Sequence, residues 1–280
     1  MVEKSKKVIT KIEVNVKNLI DELKKFDDKK YSQEITEKLK KITDQLVSIG
    51  KPSVTLLIKH INENDKLSCI HAIQALGRIG DKKSIKPLIN SLEHLEFGEY
   101  AINALKKFGS QIIPEVIKKV EYRIAHPIKD ATYKDLTSHP LRLISEIKCD
   151  ESIIFLTRFL DEYMDELRKD SSAIDNPDWR YINLDFFHLL DCLVKQQDER
   201  AIPHIINARD FFPSNFVDHK ICQKAINRIK KGITDGYLPM EALDMAFPPK
   251  LIMNAFLKIS SLTEEDDFDE EDDFDENDNS

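Results

Sequence analysis

The chain has 280 residues, 41% hydrophobic and 33% charged, which is enough apolar material for a sizeable core in one large or two small domains. Seven glycines and eleven prolines are too few for the many tight turns of an all-β sandwich or barrel, and they exclude a collagenous or linker-like chain. The formal net charge is −8, yet residues 264–278 hold twelve of the fifty acids, so residues 1–262 carry about +4 (42 − 38).

From the N-terminus, Val8–Phe26 places Ile9, Ile12, Val16, Leu19, Ile20 and Leu23 at helical spacing among polar residues. That pattern predicts a terminal helix with one face in water, an N-terminal cap within residues 1–29. Met1 to Leu19 alternates Lys, Glu and Asn with Val and Ile and lacks the continuous apolar stretch of a signal peptide. No run approaches the roughly 18 apolar residues of a membrane-spanning helix, so a soluble chain without membrane contact is expected.

An internal repeat follows. Residues 72–80, Ala-Ile-Gln-Ala-Leu-Gly-Arg-Ile-Gly, return 29 positions later as Ala-Ile-Asn-Ala-Leu-Lys-Lys-Phe-Gly at 101–109, with a weaker copy at Ile42, Leu46, Ile49 and Gly50. After each glycine a second segment carries one apolar stripe at i, i+3, i+4, i+7: Val54/Leu57/Ile58/Ile61, Ile85/Leu88/Ile89/Leu92 and Ile113/Val116/Ile117/Val120. Gly50, Gly80 and Gly109 stand where a positive φ closes a helix. Asp65, Asp81 and Ser110 are placed to cap following helices, and Pro52, Pro87 and Pro114 lie near first turns, where a missing N–H costs little. The unit is therefore helix, tight turn, helix.

Two looser copies open at Asp150-Glu-Ser-Ile-Ile-Phe-Leu, with stripe Ile153/Leu156/Leu160, and at Asp198-Glu-Arg-Ala-Ile-Pro-His-Ile-Ile, with stripe Ile202/Ile205/Ile206. Their extra length lies in Tyr122–Thr137 and in the polar Lys169–Arg180, which reads as a loop and contains the only tryptophan, Trp179, expected to anchor it. Val217–Ile233 is a further amphipathic helix, rich in Lys and Arg. Pro248-Pro249 then breaks the chain before Leu251–Ile259, an expected C-terminal cap. The fold class expected is all-α: a solenoid of about five helical hairpins over residues 30–262, sharpest over 42–120 and degenerate over 121–262. The acidic tail, 263–280, is expected to be disordered because its charges repel.

The run from Asp65 to Ile89, including Ala-Leu-Gly-Arg-Ile-Gly-Asp and Ile-Lys-Pro-Leu-Ile, resembles the HEAT-like repeats of the phycobilisome-lyase type. The resemblance implies a right-handed superhelix of antiparallel helix pairs, an armadillo-like architecture whose second helices line a concave binding face. It implies an adaptor or scaffold more than a catalyst, with a lyase-like enzyme or accessory subunit as the alternative. Repeat-built hydroxylases hold di-iron through His-Glu dipeptides, and none of the eight histidines here precedes a glutamate.

No G-x-S-x-G, Walker loop or G-x-G-x-x-G is present, and no catalytic residue, cofactor or metal is assigned. Glu93, His94, Glu96 and Glu99 come nearest to a metal cluster but read as solvated residues between repeats. Cys69, Cys149, Cys192 and Cys222 form no C-x-x-C pair and read as buried reduced thiols, pointing to the cytoplasm. Second-helix positions off the stripe, Lys59, His60, Lys86, Asn90, Lys118 and Lys119, form a mildly basic strip expected to point away from the core. About +4 over 262 residues is weak for a nucleic-acid groove, the second alternative, so a protein partner is expected. The tail repeats Glu-Asp-Asp-Phe-Asp-Glu at 265–270 and 271–276, making Phe268 and Phe274 further binding candidates.

Overall fold

The computed structural model describes residues 2–26, 32–63, 67–94, 96–126, 133–169, 184–236 and 238. It is an all-α solenoid with no strand among these residues. The helices are α1 (Val2–Lys24), α2 (Gln33–Ile49), α3 (Val54–Glu63), α4 (Leu67–Ile79), α5 (Ile85–Ser91), α6 (Gly98–Leu105), α7 (Ile113–Ala125), α8 (Tyr133–Glu146), α9 (Asp150–Lys169), α10 (Leu184–Gln196), α11 (Ala201–Phe211) and α12 (Val217–Lys231). In the predicted hairpins the first helices, α2, α4, α6, α8 and α10, form one row that α12 extends, while α3, α5, α7, α9 and α11 form the second. The N-terminal helix packs on α2, α3 and α4 and starts at Val2, earlier than the predicted Val8.

The predicted stripes are the core. Leu57, Leu88, Val116, Leu156 and Ile205 are each wholly buried, and each such side chain contributes about 1.5–3 kcal/mol by leaving water. A single hairpin cannot cover its own stripe; the neighbouring first helix does so, as α4 does for α3 and α8 does for α7.

Turn chemistry repeats with the fold. Gly50, Gly80 and Gly109 have φ of 73°, 69° and 68°, so the first three hairpins turn through a conformation that L side chains adopt at a cost. Asp81 caps the next turn as predicted, its Oδ1 accepting from Lys83 N at 2.9 Å. Ser110 does not cap: α7 is entered through a 3-10 stretch, Lys106–Ile112, and its N-cap is Ile112, which has no side-chain acceptor. Asp65 lies outside the described residues, as do Trp179, most of the Lys169–Arg180 insertion and Leu251–Ile259. Residues 122–125 of the other insertion continue α7, and α8 resumes at Tyr133.

A hydroxyl device accompanies the turns. Ser53 Oγ donates to Gly50 O at 2.7 Å, Ser84 Oγ to Asp81 O at 2.6 Å and Ser152 Oγ to Ile147 O at 2.7 Å; all three serines are fully buried and each precedes a stripe's first residue. In the later repeats side-chain amides take over the capping of helix ends. Gln196, buried at the end of α10, donates through Nε2 to Ile144 O and Ser145 O at 2.9 Å, covering carbonyls at the end of α8.

The first-helix row is packed tightly through small residues. A Cβ built on Gly77 would lie 2.5 Å from Ala104 Cβ and 2.6 Å from its Cα, and Gly98 meets the His139 ring just as closely. Gly77→Ala is therefore expected to lower the denaturation free energy by about 1–3 kcal/mol through overpacking of α4 on α6. Gly80→Ala, which meets open space but keeps a positive φ, should cost about 1–2 kcal/mol through backbone strain alone. Urea midpoints for both, with a crystal structure showing α4 and α6 spread only in the first, check the distinction.

Asp218, in the first turn of α12, is 6% exposed, and burial pushes its carboxyl up from 3.8 to about 6. A folded value above the unfolded one stabilises below pH 3.8 and loses that contribution as pH rises through about 6. Asp218→Asn should therefore raise stability at pH 7.5 by up to about 3 kcal/mol, with the gain over wild type vanishing near pH 4, as read by chemical denaturation at the two pH values.

Candidate functional site

The second helices present the face on which the binding candidates were placed, and cross-repeat pairing organises its charges. Counting from each stripe's first residue, the ninth position is Glu93 in the second repeat, Glu121 in the third and Asp161 in the fourth. Each meets a basic side chain on the following second helix. Lys119 Nζ lies 2.8 Å from Glu93, which Arg123 Nε also contacts; Arg158 reaches Glu121; and His204 Nδ1 lies 2.7 Å from Asp161. Arg168 adds a bond to Asn207 at 3.0 Å. The ladder ties α5 to α7, α7 to α9 and α9 to α11.

Burial alone pushes the Glu93 carboxyl up, but hydrogen bonds from Arg123 and Lys119 and their charges outweigh it, so the net displacement is downward. Glu146 behaves alike on the first-helix side: burial opposes ionisation, and Lys106 at 2.7 Å with Arg142 at 2.9 Å reverses the balance.

The predicted strip is redistributed by this geometry. Lys59, Lys86, Asn90 and Lys118 are exposed as expected. His60 is not: it is 4% exposed, with Nε2 3.0 Å from Ser68 Oγ on α4, because the seventh position of α3 turns toward the next first helix. Lys119 is half-buried in its ion pair with Glu93 and donates to Asn90 Oδ1 at 3.5 Å, so it belongs to the ladder and not to an open basic strip. Lys59 and His60 line a cleft shared with α1, away from Lys86 and Lys118. Phe268 and Phe274 lie outside the described residues.

What the strip lacks in open charge the face supplies in apolar exposure. Tyr122 is 54% and Ile154 60% exposed, on the neighbouring helices α7 and α9, and Ile124 is exposed beside them in sequence. The periodicity hides such residues by assigning apolar side chains to the core; Ile154, adjacent to the stripe residue Ile153 and so off its face, was the available signal.

The cluster near Glu93 is structural. Glu93 is taken by Lys119 and Arg123, Glu99 by Arg142, and the His94 ring lies 5.4 Å from that of Phe97. Among the described residues no group of three His, Cys, Asp or Glu side chains is placed to hold a metal ion. All four cysteines are free thiols; Cys69, Cys192 and Cys222 are buried and Cys149 is partly open, and burial pushes the Cys192 thiol up to about 12, which suppresses its thiolate. No described helix is long and apolar enough to cross a membrane.

Residues 70–94, which run from α4 through the turn at Gly80 to the end of α5, match the family model of the PBS lyase HEAT-like repeat. The chain contains a HEAT-like repeat. The matched segment contains the alanine-rich first helix, the positive-φ glycine and the Asp81 cap, the parts that the geometry repeats elsewhere in the chain. No curated protein matches the sequence. A helical repeat scaffold is what the HEAT-like repeat supports.

The ladder sets a pH dependence. A carboxyl held below its ordinary 4.5 contributes stability above that value and loses it as pH falls through the lower folded value, so Glu93 and Glu146 should both weaken the fold on acidification below about pH 4.5. Glu93→Gln is expected to cost about 1–2 kcal/mol at pH 7 by leaving two partly buried cations without their carboxylate, and to flatten the acid limb of a stability profile. Thermal melts from pH 7 to pH 3 for both proteins check it.

Proposed function

We propose that this protein is a non-catalytic scaffold or adaptor that binds a protein partner on its second-helix face, modulated by its acidic C-terminal tail. The observation that carries the reading is the exposure of Tyr122, Ile124 and Ile154 on adjacent second helices, close in sequence to the exposed Lys118. Large apolar side chains exposed along neighbouring helices favour a protein interface, where aromatic and aliphatic anchors supply most of the binding energy and charges supply steering. The pairing of Lys119, Arg123 and Arg158 with carboxylates argues against a phosphate groove, which needs uncompensated cations in register. On this reading no side chain has a catalytic role, and the chain works in the cytoplasm.

Affinity capture with the full chain, followed by mass spectrometry, tests it. The triple variant Tyr122→Ala/Ile124→Ala/Ile154→Ala should lose its specific partner at least about tenfold, while substitutions on the outer side of α1 leave capture unchanged. Equal capture by the triple variant would overturn the reading. Retention on DNA or RNA that falls steeply with salt would replace it with nucleic-acid binding, and a chromophore that co-purifies with the chain would replace it with the lyase-like alternative.

A further inference from the structure

Two clefts flank the C-terminal half of α1. One, between α1 and α3, has a volume of about 240 Å³, with Ile20 and Leu56 among its lining and Lys17, Lys24 and Lys59 around it. The other, between α1 and α2, measures about 380 Å³ and places Lys25, Lys38 and Lys41 around Phe26 and Ile42. Six lysines and two acids, Asp21 and Glu22, line the two clefts, and Glu34 pairs with Lys38 from outside them. These volumes lie at or below the lower end of small-molecule pockets, about 300–1,000 Å³, and suit a single ring each.

The same chain carries a matching pair of ligands. Glu265–Glu270 and Glu271–Glu276 each present one phenylalanine with three acids before it and two after. We propose that these two copies dock on their own chain, seating Phe268 and Phe274 in the two lysine-rimmed clefts astride α1. The apolar lining takes the ring and the lysines meet the flanking carboxylates, a combination that neither a plain acidic tract nor an uncharged apolar segment would satisfy.

Lengths permit it. Phe268 and Phe274 are six residues apart, about 20 Å when extended, and a helix with its side chains is about 10–12 Å across. Five interaxial steps of about 8–10 Å separate α12 from α2, roughly 40–50 Å. The 30 residues from Leu238 to Phe268 reach at most about 100 Å. The ion pairs Lys24–Asp21 and Lys38–Glu34 are exposed and exchange readily for tail carboxylates. Competition with a partner at Lys59 rests on the function proposed above; the docking is intramolecular and needs no partner.

The test places benzoylphenylalanine at Phe268 or at Phe274 in the full-length chain, irradiates at low salt and maps the monomeric adducts by mass spectrometry. Crosslinks are expected to concentrate in residues 17–26, 38–45 and 56–60. Their yield should fall about tenfold in roughly 0.5 M salt, and similarly in the variant Lys17→Glu/Lys25→Glu/Lys41→Glu/Lys59→Glu. All four lysines are exposed, circular dichroism verifies that the variant is folded, and the salt arm needs no variant. Crosslinks spread over other helices, adducts joining two copies, or a yield indifferent to salt would overturn the proposal. Loss of docking with partner capture still dependent on Tyr122, Ile124 and Ile154 would leave the scaffold reading standing.

Discussion

The contact of Gly77 with Ala104 fixes how closely consecutive repeats can stack, and most other features accommodate that spacing. Small side chains, Ala72, Ala75, Ala101 and Ala104, are buried along α4 and α6, so the backbones approach until glycine is the only residue that fits. The second helices are joined differently. Between α7 and α9, and between α9 and α11, polar side chains span the gap, Arg158 to Glu121 and His204 to Asp161. Ion pairs join the first-helix row as well, Arg78 to Asp44 and Arg142 to Glu99, so salt weakens cross-repeat ties on both sides.

How helix ends are satisfied changes along the chain. The first three hairpins close with a glycine at positive φ, and in two of them a buried serine binds the turn carbonyls. Later this role passes to glutamines: Gln197 itself adopts a φ of 53°, and Gln196 reaches across to the end of α8. The side-chain amide satisfies carbonyls that a bare turn would leave to water, which matters for a buried residue more than for an exposed one. After residue 120 side-chain amides join the earlier devices, which persist at Ser152 and at Gly232 with its φ of 67°, and the helix pairing is kept.

The helix pairs were legible because a stripe at i, i+3, i+4, i+7 is dictated by the helix geometry itself, and the positive-φ glycines because no other residue enters that conformation without cost. Positions at the edge of the stripe were not. His60 and Lys119 share the seventh place in their helices, and whether that place faces the next first helix or a neighbouring carboxylate depends on packing between repeats, which periodicity within one helix does not encode. Ser110 failed as a cap for a similar reason: the 3-10 stretch shifts the helix start to Ile112. The ladder was readable in principle, since acids recur at the ninth position in three successive repeats, but only with the repeats aligned on their stripes.

That alignment changes what the slight positive charge of residues 1–262 means. Along α5 to α9 cations are matched to carboxylates one repeat away, so charge there serves cohesion between repeats and leaves little potential for an anionic ligand. At the first repeat the ninth position is Asn62, an amide where the next three repeats have an acid, and α1 brings its own lysines beside those of α2 and α3. Lysines of α1, α2 and α3 thereby gather at the α1 end of the solenoid. The net charge of −8 is thus the sum of a matched ladder, a basic end and an acidic tail, and an acidic ligand, whether the tail or a partner, finds its attraction at α1 while apolar recognition resides on α7 and α9.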